Sequence, residues 1–541
     1  MSFAKTYSAQ TVGLTAKIID VEVDLSKGLH SFSVVGLPDK AVEESKDRVS
    51  ASIKNSGYKS PKAKNEKITV FLAPADIKKE GPAFDVAIAL AYLIASDEIK
   101  FDPEKKLFLG ELSLDGKLRR ITGVLPIISK AKDMGFKQVF LPKENAREAG
   151  LIDGIEIYGA GTLQEIIEHV NLPEKILADG KSKIFRDLDK SSKSSAKTLA
   201  GEEPNKKIPL QPKTCVEKNC LEEYDIDFGD IKGQETAKRG LEIAASGGHN
   251  IAMFGPPGTG KTMLARAFCH ILPQLSFNEL LEITSIHSVA GILKEDLISK
   301  PPIRSPHHTS SYVSLVGGGA IPKPGEVTLA HKGVLFLDEF PEFDRKVIEA
   351  LREPLEEGEI SISRAKGSQT FPANFILIAA MNPCPCGNFG SKNKECICKP
   401  TDLLRYQRKI SGPIADRIDM WVEVSQIDYE RLGEKREKKE TPEMQERVSN
   451  ARDVQRKRFI ESGKKFTTNS EMSSKDVNEF CVIGEKEKEI LNTSARKLGL
   501  SARAYHRILK LSRTIADLEG SKDIKVPHIL EALQYRPKRQ E

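Results

Sequence analysis

The chain has 541 residues, of which 39% are apolar, 30% charged and only 6% aromatic, and it carries a formal net charge of +6. That length exceeds a single hydrophobic core and predicts about three domains, while no uninterrupted apolar run reaches the roughly 20 residues of a membrane-spanning helix, so no membrane partner is expected. The start, Met1-Ser-Phe-Ala-Lys5, has no apolar secretory stretch, which predicts a cytoplasmic protein, and a charge this mild excludes a globally basic nucleic-acid binder; any such surface must be local.

The first unit spans residues 1–178. Apolar runs at 68–73, 106–109 and 138–141 alternate with helical stretches at 41–56, 84–94 and 124–134, the pattern of an α/β domain. Its segments Lys79-Glu-Gly-Pro-Ala83-Phe-Asp85, Gly116-Lys-Leu-Arg-Arg-Ile-Thr-Gly-Val-Leu125 and Gly135-Phe-Lys-Gln-Val-Phe-Leu-Pro-Lys-Glu-Asn145 resemble the proteolytic domain of Lon. In that family the residue after Gly-Pro is a nucleophilic Ser and a Lys is its base. The matching positions here are Ala83 and Leu125, and neither side chain can attack a carbonyl or accept a proton. The resemblance therefore implies a Lon-like fold without peptidase activity, used for assembly or partner binding. Lys78, Lys79 and Asp85 remain near that position and read as solvated turn residues.

Residues 179–222 turn Lys-, Ser- and Pro-rich, as in Lys190-Ser-Ser-Lys-Ser-Ser-Ala-Lys197. Such a stretch buries too little surface to offset its chain entropy, so a flexible linker is expected there. An ATPase core is expected over 223–435 and a helical lid over 436–541, where helical periodicity resumes after Pro442.

Within the core, Gly255-Pro256-Pro257-Gly258-Thr259-Gly260-Lys261-Thr262 follows the apolar run 250–254 and precedes a helical stretch, the context that a phosphate-binding loop requires. Its glycines let successive N–H groups curl around phosphates, Lys261 neutralises charge, and the Thr262 hydroxyl can hold Mg²⁺. ATP and Mg²⁺ are the cofactors this predicts. Val334-Leu-Phe-Leu-Asp338-Glu339 reads as a buried parallel strand ending in two acids: Asp338 to hold Mg²⁺ through water, Glu339 to polarise the attacking water. The run 375–381 ends in Asn382, whose spacing after Glu339 favours a γ-phosphate sensor over a turn former. Ile231, in Ile231-Lys-Gly233-Gln234, is expected to lie over the adenine.

Together these elements resemble the AAA+ ATPases, and within them the magnesium-chelatase-like group that includes the competence-associated ComM/YifB proteins. Arg304-Ser-Pro-His-His308, Met381-Asn-Pro-Cys-Pro-Cys-Gly387 and Lys409-Ile-Ser-Gly-Pro413 are similar to that group's own motifs. The resemblance puts Arg417 at the arginine finger and Arg503 at the second sensor. Since a finger of this kind is supplied by the neighbouring subunit, it also implies a homo-oligomer, a hexameric ring. From charge spacing alone, Arg417 would instead form a surface ion pair with Asp416 or Asp419.

Four of the eight cysteines, Cys384, Cys386, Cys396 and Cys398, form two Cys-x-Cys pairs in one short stretch. They could offer four thiolates to a structural Zn²⁺, the alternative being a reduced, metal-free loop. Cys215, Cys220, Cys269 and Cys481 are scattered and read as incidental thiols. Glu359-Ile-Ser-Ile-Ser363 and Gln369-Thr-Phe371 flank Arg364-Ala-Lys366-Gly367-Ser368, a hairpin with a basic tip. In related ring ATPases of the helicase type such hairpins line the pore and grip DNA phosphates, which makes Arg364 and Lys366 the DNA-binding candidates; a merely solvated tip is the alternative. Three functions compete: a DNA motor for helicase or branch-migration work in recombination or natural transformation, a metal-chelatase-type motor subunit, and a protein-remodelling ATPase.

Overall fold

A computed structural model describes residues 2–171, 207–214, 226–319, 322–364, 367–390, 394–426 and 439–536. Apart from 207–214, the expected linker lies outside the described residues. The chain divides into two compact units: Met1–Glu217 together with Thr284–Leu297, and Lys218–Ile283 together with Ile298–Glu541.

In the first unit, strands Phe3–Val12 and Thr15–Lys27 pair antiparallel, Glu66–Ala73 adds antiparallel to the second, and Ser31–Val35 runs parallel to Glu66–Ala73. Alternation along Thr15–Lys27 sends Ile19, Val21 and Val23 into the core, as a half-buried strand requires. A second, parallel sheet joins Lys106–Phe108, Gln138–Pro142 and Glu156–Ala160. Helix Asp85–Ala95 is apolar on every side and buried at every position but Ile94, so it forms the centre of this core.

Two polar residues in this unit depart from the sequence expectation. Lys79 and Asp85 are not solvated turn residues: both are fully buried, and only Lys78 is exposed, paired with Glu80 at 3.1 Å. The reason lies in distant partners. The Asp85 carboxylate accepts from Arg48 Nε at 2.7 Å, Ser45 Oγ at 2.5 Å and the Leu112 N–H at 3.1 Å, and it sits in the first turn of its helix. The Lys79 ammonium donates to the Pro74 carbonyl. Replacing Asp85 by Ala leaves the Arg48 guanidinium without its counter-charge, and the expected loss is about 3–5 kcal/mol. Denaturant unfolding followed by circular dichroism checks this; an unchanged midpoint would contradict it.

The second unit is built on a five-stranded sheet, all parallel, in the order Ile303–Arg304, Val334–Leu337, Ile376–Met381, Ile251–Phe254, Met420–Glu423. Val334–Leu337 and Ile376–Met381 are buried along their whole length, which explains why they read as unbroken apolar runs. Asn250 enters the strand Ile251–Phe254. Its side chain accepts from the Leu377 N–H at 2.8 Å and donates to the Arg417 carbonyl at 3.3 Å, and its own carbonyl accepts from Asp419 and Met420 N–H at 3.0 and 3.1 Å. Helices Thr441–Glu461, Ser474–Phe480, Glu485–Leu498, Ala502–Leu518 and Val526–Gln534 follow, as the periodicity predicts. Met444, Val448, Phe459, Ile508 and Ile515 from these helices share one hydrophobic cluster with Ile251, Ile378 and Val422 of the sheet.

Glu359–Arg364 and Gly367–Pro372 pair as an antiparallel hairpin with Arg364 opposite Gly367. The Arg364 side chain and Lys366 lie outside the described residues. Among the described residues no helix is long and apolar enough to cross a membrane.

Candidate active site

The carboxyl ends of a parallel sheet open a crevice where ligands bind, and here the phosphate loop leaves strand Ile251–Phe254 at that edge. Gly255 has no room for a side chain, because a Cβ would run into the Val424 carbonyl oxygen. Gly260 is needed for a different reason: it takes φ +88° to turn the chain into helix Lys261–Phe268.

A cleft of about 620 Å³ is lined by Pro257 to Met263, Ser305 to His308, Asp338, Glu339 and Asn382. Three stretches predicted to converge thus do so: the loop, the two acids and the strand-end Asn. Lys261 folds over its own loop, its ammonium donating to the Gly255 and Pro256 carbonyls at 2.8 Å each and to Asn382 Oδ1 at 3.3 Å. Burial pulls its pKa below the ordinary lysine value, and Asp338 opposes that shift. Thr262 Oγ1 donates to Asp338 Oδ2 at 2.9 Å, so a hydroxyl and a carboxylate oxygen already share one locus. Hard oxygen donors of this kind fit Mg²⁺, which keeps several waters and takes few protein ligands. Glu339 stands two residues past the strand at φ +51°, with its Oε2 3.3 Å from His308 Nδ1.

His307 and His308 were not assigned to the cleft from sequence, yet both line it, their rings 4.2 Å apart. The signal was available: they follow the edge strand Ile303–Arg304, and residues just beyond strand ends in a parallel sheet face the crevice. Arg304 is engaged elsewhere, in a two-pronged contact with Glu326 at 2.5 and 2.7 Å.

Ile231 is 4% exposed within the hydrophobic cluster of the second unit and is not among the residues lining the cleft. Arg417 and Arg503 do not line it either. Both reach one carboxylate: Arg417 contacts Glu356 Oε2, and Arg503 Nη2 lies 2.9 Å from Glu356 Oε1. Partial burial pushes the Glu356 carboxyl up, but the guanidiniums of Arg503 and Arg417 outweigh it and hold the pKa below the usual carboxylate range. The ion pair of Arg417 is thus with Glu356 and not with Asp416 or Asp419; Asp419 instead lies 3.4 Å from Arg507 and 3.5 Å from His249.

Beyond Asn382 the chain carries its four clustered cysteines. Cys384 Sγ lies 3.3 Å from Cys386 Sγ and 3.7 Å from Cys396 Sγ, and Cys386 lies 3.6 Å from Cys396. All four sulfurs, Cys398 included, fall within 4.8 Å of one another.

Comparison with known proteins agrees along the chain. Residues 227–432 match the family described as magnesium chelatase, subunit ChlI, residues 21–145 match subunit ChlI of Mg-chelatase, and residues 438–536 match the ChlI C-terminal family. The chain is 42% identical over 540 residues to competence protein ComM of Haemophilus influenzae, covering 99% of this chain and 98% of that protein. It belongs to the ComM/YifB family of magnesium-chelatase-like AAA+ proteins. YifB of Escherichia coli is 39% identical over 543 residues, with 99% and 97% covered. A magnesium-chelatase 67 kDa subunit of Chlorobaculum tepidum is 29% identical over 164 residues, 29% of this chain and 23% of that subunit. ComM/YifB membership makes the chain an AAA+ ATPase with ATP and Mg²⁺ as its cofactors, on a mixed α/β fold with C-terminal helices.

Proposed function

We propose that this chain assembles into a hexameric ring and uses ATP hydrolysis to drive helicase or branch-migration work on DNA in the cytoplasm. The observation that carries the ring is the position of its arginines. Arg417 and Arg503 meet at Glu356 and do not line the cleft of their own chain, which leaves Lys261 as the one Lys or Arg lining it among the described residues. Charge developing on a transferred phosphoryl group needs more than that, and a neighbouring subunit can supply the guanidinium.

In this reading Lys261 holds the β- and γ-phosphates, Thr262 and Asp338 hold the hydrated metal, Glu339 orients and polarises the attacking water, and Asn382 reads the γ-phosphate. When bound, Mg²⁺ neutralises charge on the phosphate oxygens and orients them. His308 keeps the Glu339 carboxylate at the mouth of the cleft.

Two observations support DNA as the substrate. One of the full-length relatives carries a competence name, competence being the capacity to take up DNA, whereas a relative named as a chelatase subunit matches only 29% of this chain. Strands Glu359–Arg364 and Gly367–Pro372 pair with Arg364 opposite Gly367, and the sequence here, Arg364-Ala-Lys366, is basic and suited to a sequence-independent phosphate contact. ATP turnover measured with single-stranded, duplex and branched DNA tests the reading. Stimulation by DNA is expected, and the Arg364→Ala/Lys366→Ala variant is expected to keep basal turnover while the salt slope of binding falls by about one per charge removed. Turnover indifferent to every DNA, but raised by unfolded protein, would shift the function to protein remodelling.

A further inference from the structure

The loop that follows Asn382 is held against the nucleotide cleft at two points near its start. At its start, the Asn382 side chain meets Lys261, and the Asn382 carbonyl accepts from the Tyr406 hydroxyl at 3.2 Å. Five residues on, Gly387 takes φ +80°, and its backbone lies so close to the phosphate loop that a Cβ would stand 2.8 Å from Pro257 Cδ. Between and beyond these contacts are the four cysteines.

Their spacing is informative. A tetrahedral zinc with Zn–S bonds of about 2.3 Å puts its sulfurs about 3.8 Å apart. The three Cys pairs at 3.3, 3.7 and 3.6 Å, and the overall limit of 4.8 Å, have the dimensions of a single mononuclear centre. Disulfides would need sulfurs at about 2.0 Å, and the six cysteines among the described residues are all free. Cys384 is fully buried, and the Phe389 N–H points at its sulfur from 3.3 Å, the kind of donor that stabilises a thiolate ligand. Sulfur ligands in a tetrahedral set select zinc over magnesium, whose preference is for oxygen.

We propose that Cys384, Cys386, Cys396 and Cys398 bind one zinc ion, and that this metal holds Gly387 against Pro257 so that the phosphate loop keeps its wall. Four thiolates complete the coordination shell and leave no open position for substrate, so the ion is structural. Zinc acts as a brace: it fixes the loop that connects Asn382 to Pro257, two residues that line the same cleft. This second half rests on the nucleotide-site reading above, whereas the metal content does not.

Elemental analysis of the purified full-length protein tests the first half, with about one zinc per chain expected. Removing the metal with a chelator, then adding back zinc alone, tests the second. Affinity for a non-hydrolysable ATP analogue is expected to fall about tenfold on removal, ~1.4 kcal/mol, and to return with zinc, while the helical circular dichroism stays unchanged. The Cys396→Ser/Cys398→Ser variant should behave as the stripped protein does, and if it fails to fold the chelator experiment still decides. A folded, metal-free preparation, or one holding iron in zinc's place, overturns the site. Zinc lost with no change in analogue affinity overturns the brace and leaves the site standing; a stoichiometric zinc protein that binds no ATP analogue at all leaves the site standing but defeats the nucleotide-site reading and the brace that rests on it.

Discussion

Replacing Glu339 by Gln lowers ATP turnover by about 10²–10⁴-fold, the loss expected when a positioned base is removed, and leaves ATP affinity near that of the parent. The two effects separate because the groups are separate. Lys261, Thr262 and Asp338 form their own set of contacts, and none of those includes the Glu339 side chain. Glutamine keeps the shape at this left-handed position, φ +51°, so what changes is the charge that the proposed mechanism uses to polarise water. Single-turnover hydrolysis and analogue binding, measured on the same preparation, check both halves. Parental turnover would remove Glu339 from its role.

Removing Arg417 has an effect as large by a different route. Arg417→Ala is expected to bind ATP normally and to lose about 10³–10⁵-fold in kcat, the contribution of an arginine finger. Arg417 reaches Glu356 rather than its own cleft, so in the proposed ring the missing charge is the one its neighbour would need. Mixing this variant with Glu339→Gln should therefore restore activity. A site that keeps Glu339 can then adjoin a subunit that keeps Arg417, and on the order of a quarter of the interfaces in a random equal mixture meet that condition. Co-assembly without any rescue would falsify a finger supplied in trans.

The parts of the site that the sequence reveals are those whose chemistry demands fixed local spacing. The phosphate loop needs its glycines, Lys261 and Thr262 within eight positions, so it announces itself. Asp338 and Asn382 lie 76 and 121 residues from the loop residues they meet, yet each ends an apolar strand, and parallel strands bring such ends together. The hairpin at Glu359–Pro372 is legible because Glu359–Ser363 and Gln369–Phe371 flank the short turn-forming stretch Arg364-Ala-Lys-Gly-Ser368. Where no local pattern exists, the sequence misleads. Asp85 sits near a Gly-Pro turn and looks solvated, because the partners that make it a core residue, Ser45 and Arg48, are 40 and 37 residues away. Glu356 gives no hint that two distant arginines share it. His307 and His308 read as a motif without a place until their short edge strand is seen beside Val334–Leu337.

In the proposed ring, Asn250 would act beyond its own subunit. This residue precedes the strand that leads to the phosphate loop, and its side chain also holds the Arg417 carbonyl and the Leu377 amide of the strand that ends at Asn382. A single amide thus ties the strand that leads into the phosphate loop to the backbone of Arg417, the residue that the proposed ring would offer to the next subunit. A closed ring must return to its starting point after every subunit, so an error in that tie would be repeated at each interface and accumulate around the circle. In the proposed ring Asn250 would be the gauge block of the assembly: a residue outside the lining of the cleft on which the simultaneous completeness of adjacent sites would depend.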